Sequence, residues 1–224
     1  MCGRFTRTKT IQEYAEHYKA EGIDENELDY NITPGDSILA VVAENDQTRH
    51  LTWFHWGLIP FWSKGPDKRF SMINARHESL HQKPAFRTPF KRHRCIIVAD
   101  GFYEWKQTED GKQPYYIKLT SDEPMALAGL WDHWESKETG ESIYSTSIIT
   151  TDANKIIIPV HERMPAIIPA EAFSYWLDPM NEDTEKLGEL LNPASSELFD
   201  AYPVSRRVNN PVNNDLQLLK DVTE

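Results

Sequence analysis

The chain has 224 residues, a length that one domain with a single sizeable core can accommodate. Its formal net charge of −11 argues by itself against a nucleic-acid-binding protein, because phosphate contacts need Lys and Arg. Two cysteines are too few for a disulfide framework, and the sequence contains neither a secretory signal nor an apolar run long enough to span a membrane. We therefore expect a cytoplasmic protein, one domain over residues 1–224, with no membrane partner.

The first predicted element is a helix over residues 10–21. Thr10 and Glu13 have the spacing of a capping box, and apolar side chains follow at helical spacing. Pro34 and Gly35 then interrupt the chain before the run ILAVVA, whose composition is typical of a strand.

Further runs rich in β-branched and aromatic residues indicate more strands: LTWFHWGLIPFW, CIIVADGFYEW, PYYIKL, MALAGLWDHW and IYSTSIITT. Cys95 lies in the second of these runs, where apolar neighbours predict a buried, inert thiol. Helices are expected near residues 170–177 and 182–191. Because helices and strands do not alternate, we predict an α+β fold, a single domain with a strongly twisted, barrel-like, mainly antiparallel β-sheet flanked by helices.

Cys2 is the first candidate for chemistry, because removal of Met1 would leave one residue with both a primary amine and a thiol. An α-amine has an ordinary pKa of about 7.7–8.0, so it is partly neutral and nucleophilic at physiological pH. Such an amine forms a Schiff base with an aldehyde, and the adjacent thiol can then close a thiazolidine ring. Taken alone, Cys2 is more simply interpreted as an ordinary small residue.

Three polar segments provide further candidates. SMINARHESL contains Asn74 and Arg76, and IPVHERMPAII contains His161 and Arg163 within an otherwise apolar stretch. ADGFYEWK places Glu104 between two aromatic residues, a setting that suits a general acid. Each of these segments also has a structural explanation: Glu104 as a solvent-facing strand residue, and His161 as a hydrogen-bonded structural residue.

Seven segments of the chain resemble, in order, motifs of the SRAP family of abasic-site processing proteins: MCGRF, YNITPG, WGLIPFW, INARHES, ADGFYEW, HERMP and YPVSRRVNN. The resemblance extends from residue 2 to about residue 210. It implies a protein of the DNA damage response that captures abasic sites in single-stranded DNA through an N-terminal cysteine and so shields the lesion. We expect a monomer that uses no cofactor.

By matched motif, the resemblance implies a role for each of four catalytic residues. Cys2 is the nucleophile, Asn74 holds the deoxyribose or its neighbouring groups, Glu104 is the acid/base, and His161 assists ring opening. The remaining positions are expected to contact DNA: Arg4, Asn31, Phe61, Trp62, Arg76, Thr150 and Arg163. An abasic site has no base to read, so we expect one of Phe61 and Trp62 to stack beside it, with core packing of both as the alternative.

Two other functions are compatible with the residues. A cysteine peptidase would use Cys2 as the thiolate and His161 as the base, and it could act on its own Met1. A non-catalytic binding module would not need Cys2 at all. No cysteine pair has CxxC spacing, and His77 and His81, which have HxxxH spacing, lie near neither cysteine in the sequence, so no metal site is predicted.

The charges are unevenly distributed along the chain. Residues 60–106 contain ten basic and four acidic residues, Lys68 and Arg69 among the basic ones, whereas residues 171–200 contain eight acidic residues and only Lys186. A basic groove for DNA with the acidic segment behind it is one interpretation, and an unevenly charged solvated surface is the other.

Overall fold

A computed structural model describes residues 2–23, 28–67 and 72–223. Met1, Lys68 and Arg69 lie outside the described residues. Within these residues the strands are β1 (Phe5–Arg7), β2 (Asp29–Ile32), β3 (Ser37–Ala43), β4 (Arg49–Trp56), β5 (Asn74–Arg76), β6 (Arg94–Ala99), β7 (Gly101–Thr108), β8 (Gly111–Leu119), β9 (Met125–Glu135), β10 (Ser142–Asp152), β11 (Arg163–Pro165) and β12 (Phe199–Pro203). The α-helices are α1 (Ile11–Tyr18), α2 (Pro84–Arg92), α3 (Phe173–Leu177) and α4 (Thr184–Glu189).

The strands form two sheets. In the first, the strand order is β11-β10-β4-β3-β6-β9, β5 pairs with β10, and a further pairing of β9 with β10 closes the path into a barrel. Only the pairings of β10 with β4 and with β5 are parallel among the described strands. The second sheet has the order β12-β8-β7-β1-β2 and is antiparallel. The prediction of an α+β fold with a barrel-like, mainly antiparallel sheet is confirmed.

Both faces of the first sheet are buried. Successive residues of a strand point to opposite faces, and Leu39 and Val41 of β3 join a core with Tyr14 of α1 and Trp176 of α3. Ile38 joins a second core, to which β1, β7 and β8 of the other sheet contribute. The first sheet therefore lies between the helices and the second sheet.

Helix α1 agrees with its sequence pattern. Thr10 is the N-cap, its side chain accepts from the backbone of Glu13, and the Glu13 carboxylate accepts from the Thr10 backbone at 2.7 Å. The strands predicted at ILAVVA, PYYIKL, MALAGLWDHW and IYSTSIITT are likewise present as β3, β8, β9 and β10. Short α-helices lie within both predicted C-terminal helical regions.

Two predicted strands have different bounds in the structure. CIIVADGFYEW is divided between β6 and β7, which lie in different sheets, because Asp100 forms a corner between them. The buried Asp100 carboxylate accepts from Thr8 N, Tyr14 Oη and Lys9 Nζ, which ties the corner to the N-terminal segment. In LTWFHWGLIPFW the strand ends at Trp56, since Gly57 adopts a φ of 142° and the remaining residues form a loop.

Gly101 provides a test of the packing between β7 and β8. A Cβ at this position would lie 2.3 Å from the Cζ and Oη atoms of Tyr116, which is buried and hydrogen-bonded to Thr6. We expect Gly101→Ala to lower the free energy of unfolding by about 1–3 kcal/mol, because the tyrosine cannot move without breaking that bond. Urea denaturation measures the change.

Gly188→Ala is the matched control. It lies in α4 with nothing within 4 Å of its Cβ position, so alanine should be neutral or stabilising. Equal stability of Gly101→Ala and the wild type would contradict the packing described for Tyr116.

Candidate active site

The N-terminal segment brings Cys2 beside two of the predicted catalytic residues. Strand β1 pairs with β7 on one edge, and Tyr103 N donates to the carbonyl of Arg4 at 2.9 Å, so Glu104 of β7 lies close to the start of the chain. Asn74 Nδ2 donates to the Cys2 carbonyl at 2.8 Å. Cys2 is fully buried and Glu104 is 3% exposed. The structure thus gathers Cys2, Asn74 and Glu104 at one site.

The environment of Cys2 keeps its thiol protonated. Burial raises the pKa of the Cys2 thiol well above its usual range, and the nearby charge of Glu104 raises this pKa further. The side-chain pKa of Cys95 is also raised, to about 12, by burial in β6, in agreement with the predicted inert thiol. A protonated Cys2 is a poor match to a peptidase, whose nucleophile is a thiolate.

Asn74 is held in place by its neighbours on both sides. Its strand runs parallel to β10, with Asn74 opposite Ile148 and Arg76 opposite Thr150. The indole of Trp56 donates to the carbonyl of Ile73 at 3.0 Å. The buried Asn74 Oδ1 and Thr150 Oγ1 accept or donate no hydrogen bond within the described parts of the chain. A buried polar atom without a partner is costly, so both atoms are suited to bind a ligand.

His161 lies on the loop that leads into β11, beside the carboxyl end of β10. His161 Nδ1 lies 3.0 Å from Arg163 N, which can only donate, and 3.2 Å from the Arg163 carbonyl, which can only accept. The tautomer with its proton on Nε2 accepts the first of these bonds, and the tautomer with its proton on Nδ1 donates the second.

The three arginines predicted to contact phosphate have different surroundings. Arg4 Nη1 donates to the neutral acceptors Asn31 Oδ1 at 2.6 Å and Val208 O at 2.7 Å. Arg76 is exposed. Arg163 is only 7% exposed, and its Nη atoms donate to both carboxylate oxygens of Glu78, to Asp152 and to the Thr150 carbonyl. The charge of Arg163 is thus already balanced by carboxylates, whereas the hydrogen bonds of Arg4 go to neutral acceptors.

Asn31 is placed behind Arg4 rather than on an open surface. It is 3% exposed, and its Nδ2 donates to the carbonyls of Val208 at 3.3 Å, Asn210 at 3.1 Å and Asn213 at 2.8 Å. Together with Arg4 it anchors the segment 206–213, which contains the motif SRRVNN. Asn31 therefore orients Arg4. The motif SRRVNN by itself gives no signal in the sequence that it contacts Arg4.

Phe61 and Trp62 are exposed, by 58% and 57% respectively, on the loop that follows β4. Core packing of both residues, the alternative to a stacking role, is therefore wrong. Trp62 lines a cavity of about 1030 Å³ between this loop and the turn at Pro34 and Gly35.

A second cavity, of about 740 Å³, contains none of the predicted site residues. It lies between the β3–β4 turn, the end of α2 and residues 179–182.

Arg92 pairs with Glu182 at this cavity, so the basic segment 60–106 and the acidic segment 171–200 meet instead of occupying opposite faces. Arg94 is buried and donates to backbone carbonyls, among them Trp176 O at 2.7 Å. The basic residues 60–106 accordingly do not line one continuous groove.

Comparisons with known proteins agree on one family. Residues 1–211 match the family model described as SOS response associated peptidase (SRAP). The abasic site processing protein YoqW of Bacillus subtilis (strain 168) is 40% identical over 224 residues, covering 98% of this chain and 99% of that protein. The abasic site processing protein HMCES of Gallus gallus is 37% identical over 190 residues, covering 75% of this chain and 56% of that protein. A crystal structure of a protein from Bacteroides thetaiotaomicron has a TM-score of 0.87 at 28% identity and covers 99% of this chain and 100% of that chain.

The chain belongs to the SRAP family. The resemblance of its seven motifs to this family is confirmed. In this SRAP chain, the described helices include none that is long and apolar enough to cross a membrane. The described residues also contain no group of three His, Cys, Asp or Glu side chains arranged to hold a metal ion.

The ion pair between Glu78 and Arg163 makes the stability of this SRAP protein pH-dependent. Partial burial acts to raise the pKa of Glu78, but the hydrogen bond from Arg163, a backbone hydrogen bond and the charges of His77 and Arg163 together outweigh it and lower the pKa. The pair therefore stabilises the fold above the pKa of an unfolded glutamate, about 4.3, and this contribution is lost as the pH falls through the lowered pKa. We expect Glu78→Gln to lose less stability than the wild type between pH 6 and pH 3, measured by urea denaturation.

Glu138→Gln, at an exposed turn position, is the control and should follow the wild-type curve. Because Glu78 is 46% exposed, the difference should be at most about 1 kcal/mol. Parallel curves for the wild type and Glu78→Gln would show that this ion pair does not stabilise the fold.

Proposed function

We propose that this protein processes abasic sites by capturing them in single-stranded DNA, as a thiazolidine formed by Cys2 after Met1 has been removed. The observation that carries the proposal is the convergence of Cys2, Asn74 and Glu104. Asn74 holds the Cys2 carbonyl, which helps to orient the neighbouring amine and thiol, and Glu104 is close enough for its charge to act on the thiol. The relatives named abasic site processing proteins support the same substrate.

The proposed reaction proceeds through an imine. The Cys2 amine adds to C1′ of the open-chain sugar, and water leaves as the C=N bond forms. The thiol sulfur then adds to the same carbon, and the thiol proton passes to the former imine nitrogen. The ring closure consumes both the sulfur and its hydrogen, so the step balances without a further reactant. Glu104 is the group proposed to transfer protons to and from the departing water.

His161 is proposed to act before the imine forms. An abasic deoxyribose is mostly a closed hemiacetal, which must open before an amine can attack its aldehyde. A donor near the ring oxygen speeds the opening, and the imidazole of His161 is the group proposed to supply it. Asn74 Oδ1 is proposed to accept from a sugar hydroxyl, and Thr150 Oγ1 to bind the sugar or its phosphate, since both atoms are buried and unsatisfied in the described structure.

DNA binding is proposed to combine phosphate contacts with stacking. Arg4 and Arg76 are the direct phosphate contacts, with Asn31 acting through Arg4. Arg163 would reach a phosphate only by exchanging one of its carboxylate partners. Phe61 or Trp62 would stack on a base beside the lesion. We further propose that the protein acts as a monomer in the cytoplasm.

Cys2→Ala tests the proposed nucleophile. The processed wild type should form a denaturant-resistant band with a single-stranded oligonucleotide containing one abasic site. Cys2→Ala should give no stable band, or only an imine that borohydride reduction can trap, because no thiol closes the ring. Cys95→Ala is the matched control and should crosslink like the wild type. An undiminished stable adduct from Cys2→Ala would remove Cys2 from the mechanism.

The same assay separates capture from a peptidase function. A form of the protein with extra residues before Cys2 lacks the primary amine and should form no adduct, whereas a thiolate peptidase would tolerate the extension. Burial of the Cys2 thiol, which raises its pKa, disfavours the thiolate that a peptidase needs. Whether the chain removes its own Met1 can be followed by mass spectrometry of the wild type and Glu104→Gln.

Glu104→Gln and His161→Ala test the proposed proton transfers. Each should slow adduct formation in single turnover at saturating protein by about 10²–10⁴-fold, the usual contribution of a general acid–base group. Binding to DNA that carries a tetrahydrofuran in place of the abasic sugar should change little, because this analogue cannot open. Wild-type rates in both variants would be incompatible with these roles.

A further inference from the structure

The loop that carries Phe61 and Trp62 is fastened to the protein at alternate residues. Ile59 N donates to Ser145 Oγ at 2.8 Å, and Phe61 N donates to Asp132 Oδ2 at 3.0 Å. The carbonyl of Ser63 accepts from Trp134 Nε1 at 3.0 Å. The backbone of residues 59–63 is thus held on one side, while the side chains of Phe61 and Trp62 remain exposed.

The three anchoring side chains belong to the pairing of β9 with β10. Asp132 lies opposite Ser145, and Trp134 lies opposite Ile143. The exposed fractions of the anchors are 3% for Asp132, 7% for Trp134 and 0% for Ser145. Burial of a carboxylate is unfavourable unless it is hydrogen-bonded, and Asp132 meets this condition by accepting from Phe61 N and His133 N. The anchor is therefore built from residues whose own positions are fixed by the sheet.

The far end of the loop lies against the indole of Trp134. Gly65 adopts a φ of +124°, and a Cβ there would lie 3.0 Å from Cζ2 of Trp134. A glycine allows this approach where a larger residue would push the loop away from the ring. On its other side the loop faces the cavity of about 1030 Å³ that Trp62 lines. Two exposed aromatic side chains on an anchored backbone, beside a cavity, form a surface suited to a flat ligand.

Anchoring of the loop reduces the conformational entropy that is lost when a ligand binds. A mobile loop must be ordered when a ligand binds, and this ordering reduces the affinity. A loop that is already held by buried residues avoids the loss, so its aromatic side chains can contribute the full stacking energy.

We propose that Asp132, Trp134 and Ser145 are positioning residues that hold Phe61 and Trp62 as a preformed stacking surface for a base next to the abasic site. The inference rests on the proposed function for its ligand, single-stranded DNA. It assigns a role to residues that neither touch the reacting atoms nor belong to the motifs on which the family resemblance rests.

The test measures reversible binding, so it does not depend on the covalent step. Two single-stranded oligonucleotides carry a tetrahydrofuran in place of the abasic sugar. One has adenines on both sides of it, and the other has propanediol spacers that cannot stack. Fluorescence anisotropy gives the dissociation constant of each oligonucleotide. The wild type should bind the adenine oligonucleotide roughly tenfold more tightly, a ratio within the range that one stacked base provides.

Trp134→Phe is the principal variant, because it removes the indole N–H and keeps an aromatic ring beside Gly65. Ser145→Ala is the second, since it removes only the hydroxyl that holds Ile59. In both variants the ratio of the two dissociation constants should fall towards one, because binding to the adenine oligonucleotide weakens while binding to the spacer oligonucleotide changes little. Trp131→Phe is the control: it lies in the same strand but anchors nothing in the loop, and it should keep the wild-type preference.

Each other outcome overturns the proposal. If the variants bound both oligonucleotides more weakly by the same factor, the anchors would have only a general structural role. A wild type without any preference for adenine would mean that the loop is not a stacking surface. The crosslinking assay with a true abasic site remains separate: a wild type that prefers adenine but forms no adduct would refute the proposed chemistry and leave the anchoring intact.

Discussion

The pairing of β1 on both of its edges is the constraint on which the site depends. Chain termini usually fray, because nothing holds them, yet β1 begins at residue 5 and lies between β2 and β7 in the middle of a sheet. The hydrogen bonds of Asp100 to Thr8, Lys9 and Tyr14 fix the segment that follows it. Cys2 is buried as a result, with Asn74 on its carbonyl and Glu104 on the neighbouring strand.

Local patterns predicted those elements that local interactions determine. The capping box of Thr10 and Glu13 defines the start of α1, and the apolar composition of β3 and of the segment around Cys95 identified buried strands. Helix α2 was not predicted, because Pro89 and a cluster of basic residues obscure its pattern. The corner at Asp100 was missed for a different reason: its bonds reach residues more than 80 positions away.

The candidate site follows the same division. Motif resemblance named Cys2, Asn74 and Glu104, and the fold brings these three together. Motif resemblance could not distinguish the surroundings of the arginines, because their hydrogen-bond partners are distant in the sequence. Arg4 donates to Val208, 204 positions away, and Arg163 donates to Glu78, 85 positions away. Asn31 likewise matches a motif by its sequence, but only the structure shows that its amide is used entirely within the protein.

The contact of Arg4 and Asn31 with residues 208–213 also determines when the site can be completed during synthesis. The ribosome releases a chain from its N-terminus, so Cys2 and Arg4 emerge first, while Val208 and Asn213 emerge only after nearly all of the chain has been made. Strand β7, the neighbour of β1, follows about 100 residues after it. The contacts of Arg4 and Asn31 with residues 208–213 are therefore among the last in the molecule that can form, although the two residues that make them are among the first to leave the ribosome.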